Sequence, residues 1–143
     1  MKLRVSVLEL TDEMMKAVDN SYADGKVVEV VTAAPDGWPD VSFAGSAMAW
    51  DREHLAFWER SFGQTFRNLQ ANPKVCLFYR NFEGRQVWKF LGEAQIADTG
   101  ELRQQVMDRT IEAELKHDPE RKGVGIIIRV DRVMRGGETL LQR

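Results

Sequence analysis

One cysteine in 143 residues excludes an internal disulfide and any metal site built from cysteine pairs. Cys76 falls in a predicted strand with no activating neighbour, so core packing is its expected role. Long apolar runs are missing as well: nowhere do the roughly eighteen consecutive apolar residues of a membrane-spanning helix occur. Residues 1–4 lack the apolar stretch of a secretion signal, and a cytoplasmic protein is the expectation. Neither sign of charge dominates, since 20 basic residues face 22 acidic ones for a net charge of −2. That balance disfavours a general nucleic-acid or anionic-membrane surface and points to a small-molecule partner. Histidine is scarce, with His54 in a tight turn and His117 at a predicted helix end, where capping is the expected role. Also absent are a Gly-x-Ser-x-Gly elbow, a Gly-Lys-Ser/Thr phosphate loop, a His-Glu-x-x-His pair and a dinucleotide glycine fingerprint. Any chemistry would therefore come from a bound organic cofactor.

What is present suits one globular domain over residues 1–143, with 43% hydrophobic content, 4 prolines and 11 glycines. Thr11 followed by Asp12 and Glu13 is a helix-start signal, and Met14, Met15 and Val18 give that helix an apolar stripe ending near Gly25. Such a helix suits the end of a barrel. Strands are predicted at 27–33, 40–50, 54–60, 74–80, 85–97 and 124–135, with turns at Asp36-Gly37, Asp51-Arg52-Glu53 and Glu83-Gly84. A second helix is predicted over 99–117, with Leu102, Val106, Ile111 and Leu115 inward and Arg103, Asp108, Glu112 and Lys116 outward. The tail, 135–143, is expected to lie over a partner subunit or to fray.

The most informative stretch is 54–79, HLAFWERSFGQTFRNLQANPKVCLFY. Leu55, Phe57 and Ser61 alternate with Ala56, Trp58 and Arg60, as a pleated strand requires. Gly63 breaks the strand, and a short helix follows in which Phe66 and Leu69 share a face while Gln64, Thr65 and Asn68 can point at the helix start. Asn72-Pro73 ends the helix. Val75, Leu77 and Tyr79 against Cys76, Phe78 and Arg80 read as a strand apolar on both faces, which fits a barrel interior.

The order "LAFW, polar turn, QTFRNLQANPKVCLFY", with Arg85-Gln86-Val87 and Leu91-Gly92-Glu93-Ala94 downstream and the Asp36-Gly37-Trp38-Pro39 hairpin upstream, resembles the pyridoxamine 5'-phosphate oxidase-like family of FMN-binding split barrels. The likeness covers most of the chain. It implies a mainly β fold, a six-stranded antiparallel split β-barrel with flanking helices, and a homodimer that builds its flavin sites at the subunit interface. It also implies FMN as cofactor. By resemblance, Gly45, Ser46, Ala47 and Met48 lie against the flavin ring, and Trp58 and Glu59 flank it. Gln64, Thr65 and Asn68 take the phosphate end with Arg60, and Gln86 and Trp88 contact the ring's polar edge or its face.

Other readings stand beside these. Gly45, Ser46, Ala47 and Met48 also suit a tightly packed strand, Gln64 and Thr65 a simple helix cap, Arg60 and Arg67 solvated surface charges, Gln86 a polar edge, and Trp88 a buried core position. The chain departs from the family where Gln64 and Thr65 replace a basic phosphate-gripping pair, for which Arg60 and Arg67 are the substitutes at hand. Glu59 is a second departure, and a carboxylate there is expected to point away or to pair with Arg60 or Arg67. Phe43, Trp50, Phe62, Phe82 and Trp88 exceed what one small barrel encloses, so uncovered ones would mark a binding surface. The short tail argues against pyridoxamine phosphate oxidation itself. The expected function is an FMN-dependent oxidoreductase that passes electrons from a reduced nicotinamide-type donor to a small acceptor. The alternatives are a flavin- or haem-binding stress or sensor protein without turnover, or a reductase using F420.

Overall fold

The computed structural model describes residues 8–143, so the reading of residues 1–4 lies outside the described residues. Helix α1 (Asp12–Asp19) starts as its sequence predicts, with the Met14 amide donating to the Thr11 hydroxyl at 3.1 Å and Asp12 and Glu13 in the first turn. Met14, Ala17 and Val18 pack into the main core. The helix stops well before Gly25, because the Ser21 hydroxyl donates to the Val18 carbonyl at 2.7 Å and the chain turns there.

Strand β1 (Val28–Ala33) then pairs with β2 (Pro39–Ala44) across the predicted Asp36-Gly37 turn. The predicted strand over 40–50 does not run through. The Ala47 amide donates to the Ala44 carbonyl at 3.2 Å, so Gly45, Ser46 and Ala47 form a turn before the two-residue β3 (Met48–Ala49). Strand β4 (His54–Glu59) leads through a polar turn into α2 (Gln64–Ala71), followed by β5 (Lys74–Asn81) and the long β6 (Gln86–Ala97).

The predicted 99–117 helix is two pieces, α3 (Gly100–Arg109) and α4 (Glu112–Leu115). The break falls at Thr110, whose hydroxyl donates back to the Val106 carbonyl at 2.7 Å while its backbone turns extended. Ile111 is therefore exposed, contrary to expectation, whereas Val106 and Leu115 are buried as predicted. Strand β7 (Val124–Arg135) pairs through a tight turn with β8 (Glu138–Gln142). The tail is thus a strand of the fold rather than a frayed end, with Arg132 opposite Gln142 and Arg135 opposite Glu138.

All pairings are antiparallel, in the order β2-β1-β5-β6-β7-β4-β3 with β8 beside β7. The fold is the split barrel expected, with eight strands among the described residues instead of six. Its concave face buries Val28, Val30, Leu77, Tyr79, Phe90 and Ile126, and α1 and Leu69 cover this core. Each such side chain stabilises the fold by about 1.5–3 kcal/mol. A smaller cluster of Met48, Ala56, Trp58, Val106, Leu115 and Ile127 lies on the other side of β4 and β7 under α3 and α4. Strand β4 is consequently covered on both faces, which fixes the turn that follows it. Cys76 is half-buried on the outward side of β5 and not in the core, because Val75, Leu77 and Tyr79 take the inward positions. Partial burial still pushes its thiol above the ordinary value, against the lowering pull of Lys89. Among the described residues, no helix is long and apolar enough to cross a membrane.

Candidate functional site

The turn between β4 and α2 is organised by Glu59. Its side chain is buried, and one oxygen, Oε1, accepts from the Phe62 amide at 2.9 Å and from the Ser61 hydroxyl at 3.0 Å. The expectation that Glu59 points away or pairs with Arg60 or Arg67 is corrected: the carboxylate folds into its own turn and takes the donors there. Phe62 sits at φ +52°, a strained left-handed conformation that this hydrogen bond helps to hold. Arg60 instead approaches Glu114 of α4 at 3.6 Å, and Arg67 donates to the side-chain Oε1 of Gln64 at 3.0 Å.

Beside this turn, a polar cleft of about 90 Å³ is lined by Gly45, Ser46, Trp58, Glu59, Arg60 and Glu114, with Phe43 at its edge. A Cβ on Gly45 would meet the Glu114 carboxylate, the far end of a flexible side chain that can swing away. Ser46 ties the turn after β2 to β4, accepting from the Trp58 amide at 2.9 Å and donating to its carbonyl at 3.3 Å. The Trp58 indole N–H donates to Asp118 at 2.9 Å, and the Arg103 guanidinium lies over the ring at 5.1 Å. Asp118 is buried; desolvation pushes its carboxyl up, but the amides of Lys122 and Gly123, the indole and the Arg121 charge together hold it below the usual value.

The start of α2 carries a second polar cluster. The Thr65 hydroxyl lies 2.6 Å from that of Ser42 and donates to Asp40 at 3.3 Å. The Asn68 amide donates to Thr32 at 3.0 Å, and Gln64 donates to the Asn68 carbonyl oxygen at 2.7 Å. Gly63, which has no side chain, stands at the N-cap, and the side-chain hydrogen bonds of Gln64 and Thr65 go elsewhere than to the helix-start amides. Their hydrogen bonds run to β2 and to the helix itself, and Asn68 carries the link to β1.

Not every predicted site residue converges. Ala47 and Met48 are buried, Met48 in the smaller cluster. Trp88 is stacked on Tyr79 at 5.6 Å in the main core, and Gln86 donates to Glu13 of α1 at 3.1 Å, so neither lines the cleft within one chain. Glu114 is a lining residue that sequence reasoning missed, since only packing brings α4 against Gly45. A groove of about 730 Å³ runs along Val31, Cys76, Leu91, Arg132 and Arg143 on the outward sheet face and contains none of the predicted site residues. We place the site at the smaller cleft, because polar groups converge there while the groove is mostly open sheet surface.

The fold and this arrangement define a split-barrel protein with a polar cleft beside the β4–α2 turn. The family model for pyridoxamine 5'-phosphate oxidase matches residues 14–133, and the chain belongs to that family. Solved structures agree on the fold. A Lactobacillus delbrueckii protein assigned as a pyridoxamine 5'-phosphate oxidase shares 19% identity over 92% of this chain and 98% of its own, with a TM-score of 0.72. HupZ of Group A Streptococcus shares 24% identity over 92% and 94%, with a TM-score of 0.69. An FMN-binding protein from Syntrophomonas wolfei shares 9% identity over 85% of both chains, with a TM-score of 0.63. A search of curated proteins finds no significant match.

The family resemblance implies FMN, whose phosphate is a dianion needing converging donors and positive potential. The side chains of the turn as folded do not fit that phosphate. Glu59 occupies the Ser61 and Phe62 donors, Asp40 takes the Thr65 hydroxyl, and the nearest cations, Arg60 and Arg67, bond to Glu114 and Gln64. Among the described residues, no buried side-chain nitrogen or oxygen is left without a partner to receive it. The ring is a separate matter, since a flat apolar body asks only for exposed backbone and an aromatic face.

Proposed function

We propose that the protein is a flavoprotein of its family, holding a flavin ring at the cleft between β2, β4 and α4. In this reading it serves as an oxidoreductase that passes electrons from a reduced nicotinamide-type donor to a small acceptor. The flavin supplies the hydride chemistry when bound; the chain supplies position, polarity and exclusion of water. The supporting observation is convergence: Gly45, Ser46, Trp58 and Arg60, all predicted from sequence, line one cleft with Phe43 at its edge, 72% exposed. Phe43 also borders a second cleft of about 280 Å³, so its ring offers a stacking face between the two.

A homodimer fits this reading. Val41 pairs with Val31, and the same outward stripe continues through Cys76 and Leu91, an apolar surface that a second copy would cover. Gln86, remote from the cleft within one chain, would then reach a flavin only from the partner.

The test is the absorption spectrum of the purified protein, followed by fluorescence-quenching titration with flavins. Flavin binding is expected, with Phe43→Ala weakening it roughly two- to tenfold, the worth of about one aromatic contact. A haem band in place of a flavin spectrum, or no flavin binding, would contradict the reading.

A further inference from the structure

The charges around the cleft decide which end of a ligand it accepts. Two carboxylates, Glu59 and Glu114, and one guanidinium, Arg60, line the cleft, so its lining carries a formal net −1. Glu114 holds that guanidinium at 3.6 Å, leaving Glu59 with no cationic partner among its bonds. A third carboxylate, Asp40, receives the Thr65 hydroxyl at the start of α2. The Ser61 hydroxyl, the Phe62 amide and the Thr65 hydroxyl are thus directed at the chain's own acids. Carboxylates in such positions repel a phosphate and accept hydrogen bonds from hydroxyl groups.

We propose that Glu59 is a specificity-determining residue that excludes phosphorylated flavin, so that the site takes a flavin whose sugar-alcohol tail ends in a free hydroxyl. The assignment rests on the flavin reading above. A hydroxyl of the tail can donate to Glu59 where a phosphate would meet a like charge. Riboflavin is the probe for this chemistry and FMN its phosphorylated counterpart.

The experiment titrates wild type and Glu59→Gln with riboflavin and with FMN at one ionic strength. Glutamine keeps an oxygen to accept from Ser61 and Phe62, so the turn is retained, and a circular dichroism melt checks it. Wild type should bind riboflavin about tenfold or more tighter than FMN, and Glu59→Gln should tighten FMN by about tenfold while riboflavin changes less than about threefold. FMN binding tighter than riboflavin in wild type overturns the assignment and leaves the flavin reading standing. An unchanged FMN-to-riboflavin ratio in a folded Glu59→Gln does the same. Binding of neither flavin to either protein overturns both.

Discussion

Two turns of this protein are closed by a buried carboxylate, and their surroundings differ. In the loop before β7, Asp118 uses both oxygens: Oδ1 accepts from the Lys122 amide, and Oδ2 from the Gly123 amide and the Trp58 indole, each at 2.9 Å. In the turn after β4, Glu59 uses one oxygen for two donors, and its side chain lines a cleft. Asp118 joins loop, strand and helix cluster into one unit, and its charge is consumed in doing so. Glu59 holds only its own turn and leaves its negative charge beside the cleft. Counting donors thus separates a carboxylate that staples the fold from one that sets what a site repels.

The sharpest way to break the comparison is Asp118→Ala. Three donors lose their acceptor in a buried setting, and a stability loss of about 3 kcal/mol is expected by chemical denaturation. Gly123→Ala tests the connection between the turns, because a Cβ there would meet the Trp58 indole and the Glu59 carbonyl. Overpacking of that kind costs about 1–3 kcal/mol. Glu59→Gln should cost under about 1 kcal/mol, since the amide oxygen still accepts both bonds. A loss as large as that of Asp118→Ala would erase the distinction.

The acid side sharpens it further. Asp118 has a folded-state pKa below its ordinary 3.8, so its contribution is complete above that value and is lost as pH falls through the folded one. Acid unfolding curves of wild type and Asp118→Asn should therefore converge below about pH 3.8 and stay separated by a constant gap above about pH 5. Gly45→Ala is the mildest change: it displaces only the far end of the flexible Glu114 side chain and frees Arg60 from its partner. Stability should move by about 0.5 kcal/mol or less, while flavin affinity shifts because the cleft gains a methyl and a mobile cation.

The parts of this structure that were legible in the sequence are those set by local chemistry. The Thr11 cap, the Asp36-Gly37 turn, the helix stop at Asn72-Pro73 and the alternation of Val75, Leu77 and Tyr79 each follow from neighbours a few residues apart. The break after Ala44 was hidden because small apolar residues continue through Gly45, Ser46 and Ala47 in a strand-like pattern. The break at Thr110 depended on a side chain bonding back to its own helix. Of the residues lining the candidate cleft, Gly45, Ser46, Trp58 and Arg60 are ones that the family pattern singles out, whereas Glu114 reaches it only through tertiary packing. The direction of Glu59 was misread from charge alone. Ser61 and Phe62 immediately downstream, able to present a hydroxyl and an amide to a preceding carboxylate, were the signal that could have corrected it.

The most direct test of the central claim is a side-by-side titration of wild-type protein with riboflavin and FMN, followed by flavin fluorescence. Quenching by riboflavin at concentrations where FMN remains largely free is the predicted result. Tighter binding of FMN, weakened by added inorganic phosphate, would contradict the account by showing a turn that grips phosphate despite the Glu59 carboxylate inside it.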